Sequence, residues 1–212
     1  MPPETPVGLF GVGLMGEVYA ARLIAAGFGV IGFDTDVARM KRLVQIGGRA
    51  GSAAEIARHC DPIVIAVFST DQVEAVVERA LVPAASGKIV ICTSTCDPDR
   101  VAALGARVAR DLRFLEAPVS GTSAQVRQGD GVGLMGGDVE TAQIAASVLD
   151  ALFPQRFHSA RSVTTVAPSS PSISSLGSIA SPLPRAWCLL HGLVSTLRHF
   201  FSSRAPRQPL RR

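Results

Sequence analysis

The chain has 212 residues, 47% of them hydrophobic and 18% charged, a composition ordinary for a globular protein with room for one full domain and a small second one. Its net charge of +4 belongs to its end: residues 1–150 carry 13 Lys and Arg against 17 Asp and Glu, whereas residues 151–212 carry eight Arg and no acid. The folded part therefore lacks the basic face that tracking a nucleic-acid backbone requires, and a nucleic-acid partner is not expected.

Short apolar runs alternate with helical patterns through the first 150 residues, as in βαβ units around a parallel sheet. Val7–Phe10 reads as a strand, Leu14–Ala26 as a helix, Gly29–Phe33 as a strand, and Val37–Gly47 as a helix ended by paired glycines. Ser52 with Glu55 makes a capping-box pattern for Ala53–His59, and the run Ile63–Phe68 predicts a buried strand. Asp71 is the expected cap of a helix over Val73–Ala80. Lys88–Cys92, Arg113–Leu115 and Val132–Met135 read as strands, and Asp97–Arg110 and Thr141–Leu152 as helices. The expected domain thus covers residues 5–158.

From 159 to 212 the chain reads as a Ser/Pro/Arg-rich tail, largely disordered, with a helix feasible only at 186–201, where Trp187, Leu190, Val194 and Leu197 fall at helical spacing. No run reaches the roughly 20 apolar residues of a membrane span, and Met1–Thr5, with two prolines and a glutamate, does not read as a signal or transit peptide. Cys60, Cys92, Cys96 and Cys188 read as dispersed, with no C-x-x-C spacing, which argues against a zinc site or a disulfide framework and for a reducing, cytoplasmic setting.

Gly11-Val12-Gly13-Leu14-Met15-Gly16 is a G-x-G-x-x-G between a predicted strand and a predicted helix, the context that makes the pattern informative. Gly11 allows a tight turn, Gly13 lets a pyrophosphate approach the backbone, and Gly16 lets helix pack on strand, with the phosphates at the helix's positive end. Asp34 ends the second strand, where a carboxylate accepts hydrogen bonds from ribose hydroxyls and repels a 2′-phosphate. NAD is therefore expected over NADP, and with no arginine before Arg39 a 2′-phosphate would need a cation from elsewhere in the fold. A flavodoxin-like sheet with a glycine-rich turn and no dinucleotide is the bland alternative.

The opening Gly8-Leu9-Phe10-Gly11-Val12-Gly13-Leu14-Met15-Gly16 resembles the β-hydroxyacid dehydrogenases, which include the 3-hydroxyisobutyrate and 6-phosphogluconate dehydrogenases. Thr93-Ser94-Thr95-Cys96-Asp97-Pro98, Glu116-Ala117-Pro118-Val119-Ser120-Gly121-Thr122 and Gln128-Gly129-Asp130 through Met135-Gly136-Gly137-Asp138 resemble later motifs of the same family. The resemblance implies a Rossmann-like, doubly wound α/β fold and oxidation of a small 3-hydroxy acid by hydride transfer to NAD. It implies that Gly11, Gly13, Leu14, Met15, Gly16 and Asp34 hold the adenosine diphosphate, that Val67, Phe68, Ser69 and Thr95 border the nicotinamide, and that Ser120, Gly121 and Thr122 bind the substrate carboxylate. Glu116 and Thr122 depart from the family's aspartate and second glycine.

Members of that family carry a general acid/base lysine, with an asparagine nearby, on a helix after this domain. The chain has only Lys41 and Lys88 and no asparagine, so no catalytic residue is assigned and turnover is expected to be impaired. A non-catalytic dinucleotide-binding protein is the alternative. The tail reads as an out-of-frame or truncated ending, or as a variant segment that binds an acidic partner, and an uncovered apolar interface would favour a homo-oligomer.

Overall fold

Val7-Gly8-Leu9-Phe10 has no polar face, so as a strand it must be covered on both sides. The computed structural model, which describes residues 5–159, places it inside a parallel sheet as β1 (Val7–Phe10). There follow α1 (Leu14–Ala25), β2 (Val30–Phe33), α2 (Val37–Gln45), β3 (Arg49–Ala50), α3 (Ala53–His59), β4 (Ile63–Ile65) and α4 (Thr70–Ala75), which runs on into a π-helical segment, Val76–Leu81. Then come β5 (Ile89–Cys92), α5 (Pro98–Val108) and β6 (Arg113–Glu116). These six strands pair in parallel in the order β3-β2-β1-β4-β5-β6, the doubly wound Rossmann arrangement.

Past β6 the chain folds back through β7 (Val119–Ser120), α6 (Ser123–Gln128), β8 (Val132–Gly136), α7 (Val139–Ile144), α8 (Ala146–Leu152) and β9 (Gln155–Ser159). β8 is antiparallel to β6 and β7 and parallel to β9. The tail and its candidate helix at 186–201 lie outside the described residues.

Alternation along the strands divides the core into two layers. Val7, Leu9, Val64, Ile91 and Leu115 face Val18, Tyr19 and Leu23 of α1 and Leu149 of α8, with Phe153 beside them. Phe10, Ile31, Ile63, Ile65 and Val90 face Ile56 of α3, Val73 and Val77 of the α4 segment, and Leu104 and Val108 of α5.

Several boundaries differ from expectation for local reasons. The strand read as Ile63–Phe68 stops at Ile65: Ala66 N still donates to Phe10 O at 2.8 Å, and the chain then turns into the loop before α4. α4 is capped by Ser69, whose Oγ accepts from Gln72 N at 3.3 Å, and not by Asp71. Ser52 caps α3 as expected, accepting from Glu55 N at 3.2 Å, but the Glu55 carboxylate pairs with Arg49. The helix expected over Thr141–Leu152 breaks at Ala145 into α7 and α8. α6 and the short strands β3, β7 and β9 were not anticipated.

Arg22 of α1 joins pieces distant in sequence. Its Nε donates to Ala151 O at 2.8 Å and its Nη1 to Val126 O and Arg127 O at 3.2 and 3.3 Å, so one guanidinium satisfies carbonyls in the last turns of both α8 and α6. A cation there also faces the negative ends of two helix dipoles. Arg22→Ala is expected to lower stability by about 1–3 kcal/mol, the range for hydrogen bonds to a charged group and for acceptors left without one. Arg22→Lys should restore less than half of the loss, because an ammonium lacks the fork that reaches both helices. Urea denaturation of the three forms checks this, and equal midpoints would exclude the double cap.

Candidate dinucleotide-binding site

The turn from β1 into α1 is set by two glycines that touch each other's surroundings. Gly11 has φ +87°, and a Cβ there would lie 2.5 Å from Ala66 O. A Cβ on Gly16 would lie 1.9 Å from Gly11 O. A side chain at Gly13, by contrast, would meet nothing closer than Arg39 Nη1 at 3.7 Å, so no backbone or core atom closes over the turn there and only the movable guanidinium lies beside it. Gly13 is also the N-cap of the 12-residue α1, and no side chain caps that end. Its first N–H groups therefore point outward at the positive end of the helix dipole, which suits a phosphate.

Asp34 closes the other side of the turn. Its Oδ2 accepts from Val12 N at 2.8 Å and its Oδ1 from Asp36 N at 2.9 Å, which fixes the carboxylate against the glycine loop. Burial pushes this carboxyl up, but the N–H groups of Asp36 and Val12 together with Arg39 outweigh it and hold Asp34 below the usual carboxylate range. The expectation that a cation would have to come from elsewhere is corrected by the structure. α2, capped by Asp36, folds back so that Arg39 Nη1 lies 3.4 Å from Asp34 Oδ2. The clue was the Asp36–Arg39 spacing at the start of a helix, which puts both side chains on its first turn.

Leu14 is 74% exposed, and Met15 is half-buried against the core. Phe68, 96% exposed, stands in the loop after β4, its N–H donating to Gln72 Oε1 at 2.9 Å. That loop is tied to the one after β5: Ser94 Oγ donates to Val67 O at 2.8 Å, and Asp97 N donates to Thr70 Oγ1 at 2.9 Å. Val67, Phe68, Ser69 and Thr95 are thereby brought together at the carboxyl ends of β4 and β5. The crevice beside β1 and β4, where the crossover direction reverses, is the usual ligand position in such sheets.

Ser120 ends β7, which continues the line of β6 along β8, and Gly121 and Thr122 follow it. Ser120 is exposed, and Gly121 has φ +139°. Thr122 is already engaged. It caps α6 in a full capping box, its Oγ1 accepting from Gln125 N at 3.3 Å while its own N–H donates to Gln125 Oε1 at 2.8 Å. The donors left for an anion are the Ser120 hydroxyl and the Gly121 N–H. A groove of about 350 Å³ between α5 and α7, lined by Val101, Gly105, Phe114 and Gly137 among others, includes none of the expected site residues.

Neither lysine stands at this edge as a base. Lys88 precedes β5 at its amino end, and its Nζ donates to Ala57 O and Arg58 O at 2.7 and 2.6 Å. Lys41 lies exposed on α2. The buried Tyr19 phenol is pushed up to about 12 by desolvation, partly offset by the Thr93 hydroxyl, so it stays neutral.

Residues 6–158 match the family model described as the NAD binding domain of 6-phosphogluconate dehydrogenase. L-threonate dehydrogenase of Cupriavidus necator is 36% identical over 151 residues, covering 69% of this chain and 51% of that protein. The mitochondrial 3-hydroxyisobutyrate dehydrogenase of Mus musculus is 30% identical over 157 residues, covering 72% and 47%. The crystal structure of a 3-hydroxyisobutyrate dehydrogenase from Salmonella typhimurium superposes with a TM-score of 0.70 at 27% identity, covering 76% of this chain and 59% of that one. The chain spans about half the length of the curated relatives it matches. Together with the doubly wound sheet and the glycine turn, these matches make the chain a member of the β-hydroxyacid dehydrogenase-like family defined by the NAD-binding domain of 6-phosphogluconate dehydrogenase.

Proposed function

We propose that the chain binds NAD across the carboxyl ends of β1 and β4, and that its ancestral chemistry is the oxidation of a small 3-hydroxy acid. The observation that carries this reading is the Asp34 carboxylate, pinned 2.8 Å from Val12 N at the lip of a glycine turn whose helix start at Gly13 has no side-chain cap. Gly11, Gly13, Leu14, Met15 and Gly16 would hold the pyrophosphate, and Asp34 would accept from the adenosine ribose hydroxyls. Val67, Phe68, Ser69 and Thr95 would flank the nicotinamide. When bound, NAD supplies the hydride acceptor. Ser120 and Gly121 would orient a substrate carboxylate, with Thr122 acting through the turn it caps. The names of the relatives, threonate and 3-hydroxyisobutyrate dehydrogenases, point to a short hydroxy acid.

These 212 residues supply no lysine for the proton of the hydroxyl group, since Lys88 is held by backbone carbonyls and Lys41 sits on α2. That favours, as the second reading, a dinucleotide-binding protein with little or no turnover of its own. Loss of a general base lowers a rate by about 10² to 10⁴. Calorimetric titration should give NADH binding, and dehydrogenase assays with 3-hydroxyisobutyrate and L-threonate should give rates lower by a factor in that range than a lysine-bearing relative. Turnover equal to such a relative would sink the argument from the missing base, and no binding of either dinucleotide would sink the cofactor reading.

Asp34 and Arg39 set the expected choice of cofactor. With Asp34 ionised, NADH should bind more tightly than NADPH. In Asp34→Ser the NADH affinity should drop about tenfold or more, consistent with roughly 1.5–3 kcal/mol for hydrogen bonds to a charged group. The same change frees Arg39, so NADPH affinity should rise, and a variant with unchanged preference would remove Asp34 from the ribose site.

The pH dependence has a definite sign. Asp34 is held below the usual carboxylate range. It remains ionised between about pH 8 and about pH 5 and loses its acceptor role only as pH falls below the usual aspartate value of about 3.9. NADH affinity should thus show no Asp34-dependent step above about pH 5, as comparison with Asp34→Ser across pH would reveal.

A further inference from the structure

The reading of the cysteines as dispersed fails for one pair. Cys92 is the last residue of β5 and is buried; Cys96 lies four residues on, half-buried in the loop before α5, and the two sulfurs are 4.0 Å apart. The turn between them folds Cys96 back over the strand end. Thr93 donates from both its N–H and its hydroxyl to Ile65 O, each at 2.9 Å, and Ser94 Oγ holds Val67 O. A cleft of about 40 Å³ has both cysteines in its lining, with Thr95, Glu116 and Pro118 among the other residues. That is room for a small oxidant and little else.

We propose that Cys92 and Cys96 form a redox-modification site, in which a peroxide converts the two thiols to an intramolecular disulfide. The more exposed sulfur attacks first. The contact with Cys92 holds the Cys96 thiol low against partial burial, helped by the Thr70 hydroxyl, whereas that contact and burial push Cys92 up. The Cys96 thiolate attacks one peroxide oxygen, the O–O bond breaks, and the departing hydroxide takes a proton to leave a sulfenic acid. The Cys92 sulfur then displaces the sulfenic hydroxyl, which departs as water with the Cys92 proton. Two thiols and one hydrogen peroxide give one disulfide and two waters, with sulfur losing two electrons and peroxide gaining them.

Cys92 is anchored by its register with Ile65 and Glu116, so closing the gap to bonding distance moves Cys96 and the loop that carries it. The ring is short and closes little chain entropy, which leaves the bond open to reduction by thiols. Thr95 lies inside the ring. Oxidation would therefore displace a residue of the proposed nicotinamide edge and weaken NADH binding; this consequence rests on the dinucleotide reading above.

One tryptic peptide, Ile89–Arg100, contains both cysteines and no other. The whole purified chain is treated with dilute hydrogen peroxide, alkylated and digested. The expected result is that peptide lighter by two hydrogens and without alkylation, restored by dithiothreitol and absent in Cys96→Ser. Both cysteines remaining open to alkylation would overturn the site, as would Cys96 sulfinic acid beside an alkylated Cys92, or a bond from either cysteine to Cys60 or Cys188. NADH titration of the oxidised and reduced forms should show several-fold weaker binding after oxidation. Equal affinities would remove the regulatory consequence and leave the disulfide standing, whereas no binding by either form would count against the dinucleotide reading while the mass result stood.

Discussion

The close approach of Gly16 to the carbonyl of Gly11 is the constraint on which the site depends. With only 1.9 Å available to a Cβ, no other residue allows α1 to leave β1 at this angle. Once the helix is set, Val18, Tyr19 and Leu23 are committed to the layer that Leu9, Val64 and Phe153 complete. The Tyr19 and Phe153 rings meet edge to face at 5.6 Å between centroids, so the end of the domain is packed against its beginning. Arg22, one turn further along α1, then reaches the carbonyls of α6 and α8. Position of the cofactor turn and closure of the last third of the domain are consequences of one helix orientation.

Electrostatics at the turn follow from the same placement. Asp34 is not a free carboxylate awaiting a ligand: it already accepts from two backbone N–H groups and lies beside a guanidinium. The backbone donors cannot move without unfolding the turn, whereas the Arg39 side chain is 48% exposed at the end of a flexible stem. A ribose bound as proposed would therefore displace the arginine and not the backbone, and the carboxylate would keep its orientation. Only the Arg39 side of the pair is exposed, since the Asp34 side chain is 7% exposed, so the guanidinium is the partner that can move away into solvent.

Much of this was legible in the sequence because the cues were local. A G-x-G-x-x-G between an apolar run and a helical pattern, and an acid at the end of the next strand, are geometric statements about adjacent residues, and the residues occupy the expected turn and strand end. Part of what escaped was set by contacts between distant segments. β3 and β7 have two residues each, and β9 has mostly exposed side chains, so none carries a hydrophobic signal; each exists because a neighbouring strand offers an open edge. The capping box of α6 was hidden in a motif read for its ligand chemistry, although Thr122 and Gln125 have the right spacing. Arg39 with Asp34 and Cys92 with Cys96 lie only five and four residues apart, and they were missed because the turns that bring each pair together carry no pattern of their own.

The division of labour within the site also explains how recognition and chemistry come apart. Every group proposed to hold the dinucleotide belongs to the segment between Gly11 and Thr95, and the loops that carry them are bound to one another: Asp34 to Val12, Val67 to Ser94, Thr70 to Asp97. As proposed, that half of the site is built from these loops alone. The substrate half is thinner. As proposed, it would consist of Ser120, Gly121 and a threonine whose N–H and hydroxyl are committed to capping, with no lysine at the carboxyl edge. A dinucleotide can be held by backbone donors and one carboxylate, whereas moving the hydroxyl proton needs a base held at hydrogen-bonding distance from it. On the proposed reading, then, the fold holds the groups for the cofactor while the proton-transfer step depends on a base that neither Lys41 nor Lys88 is placed to supply.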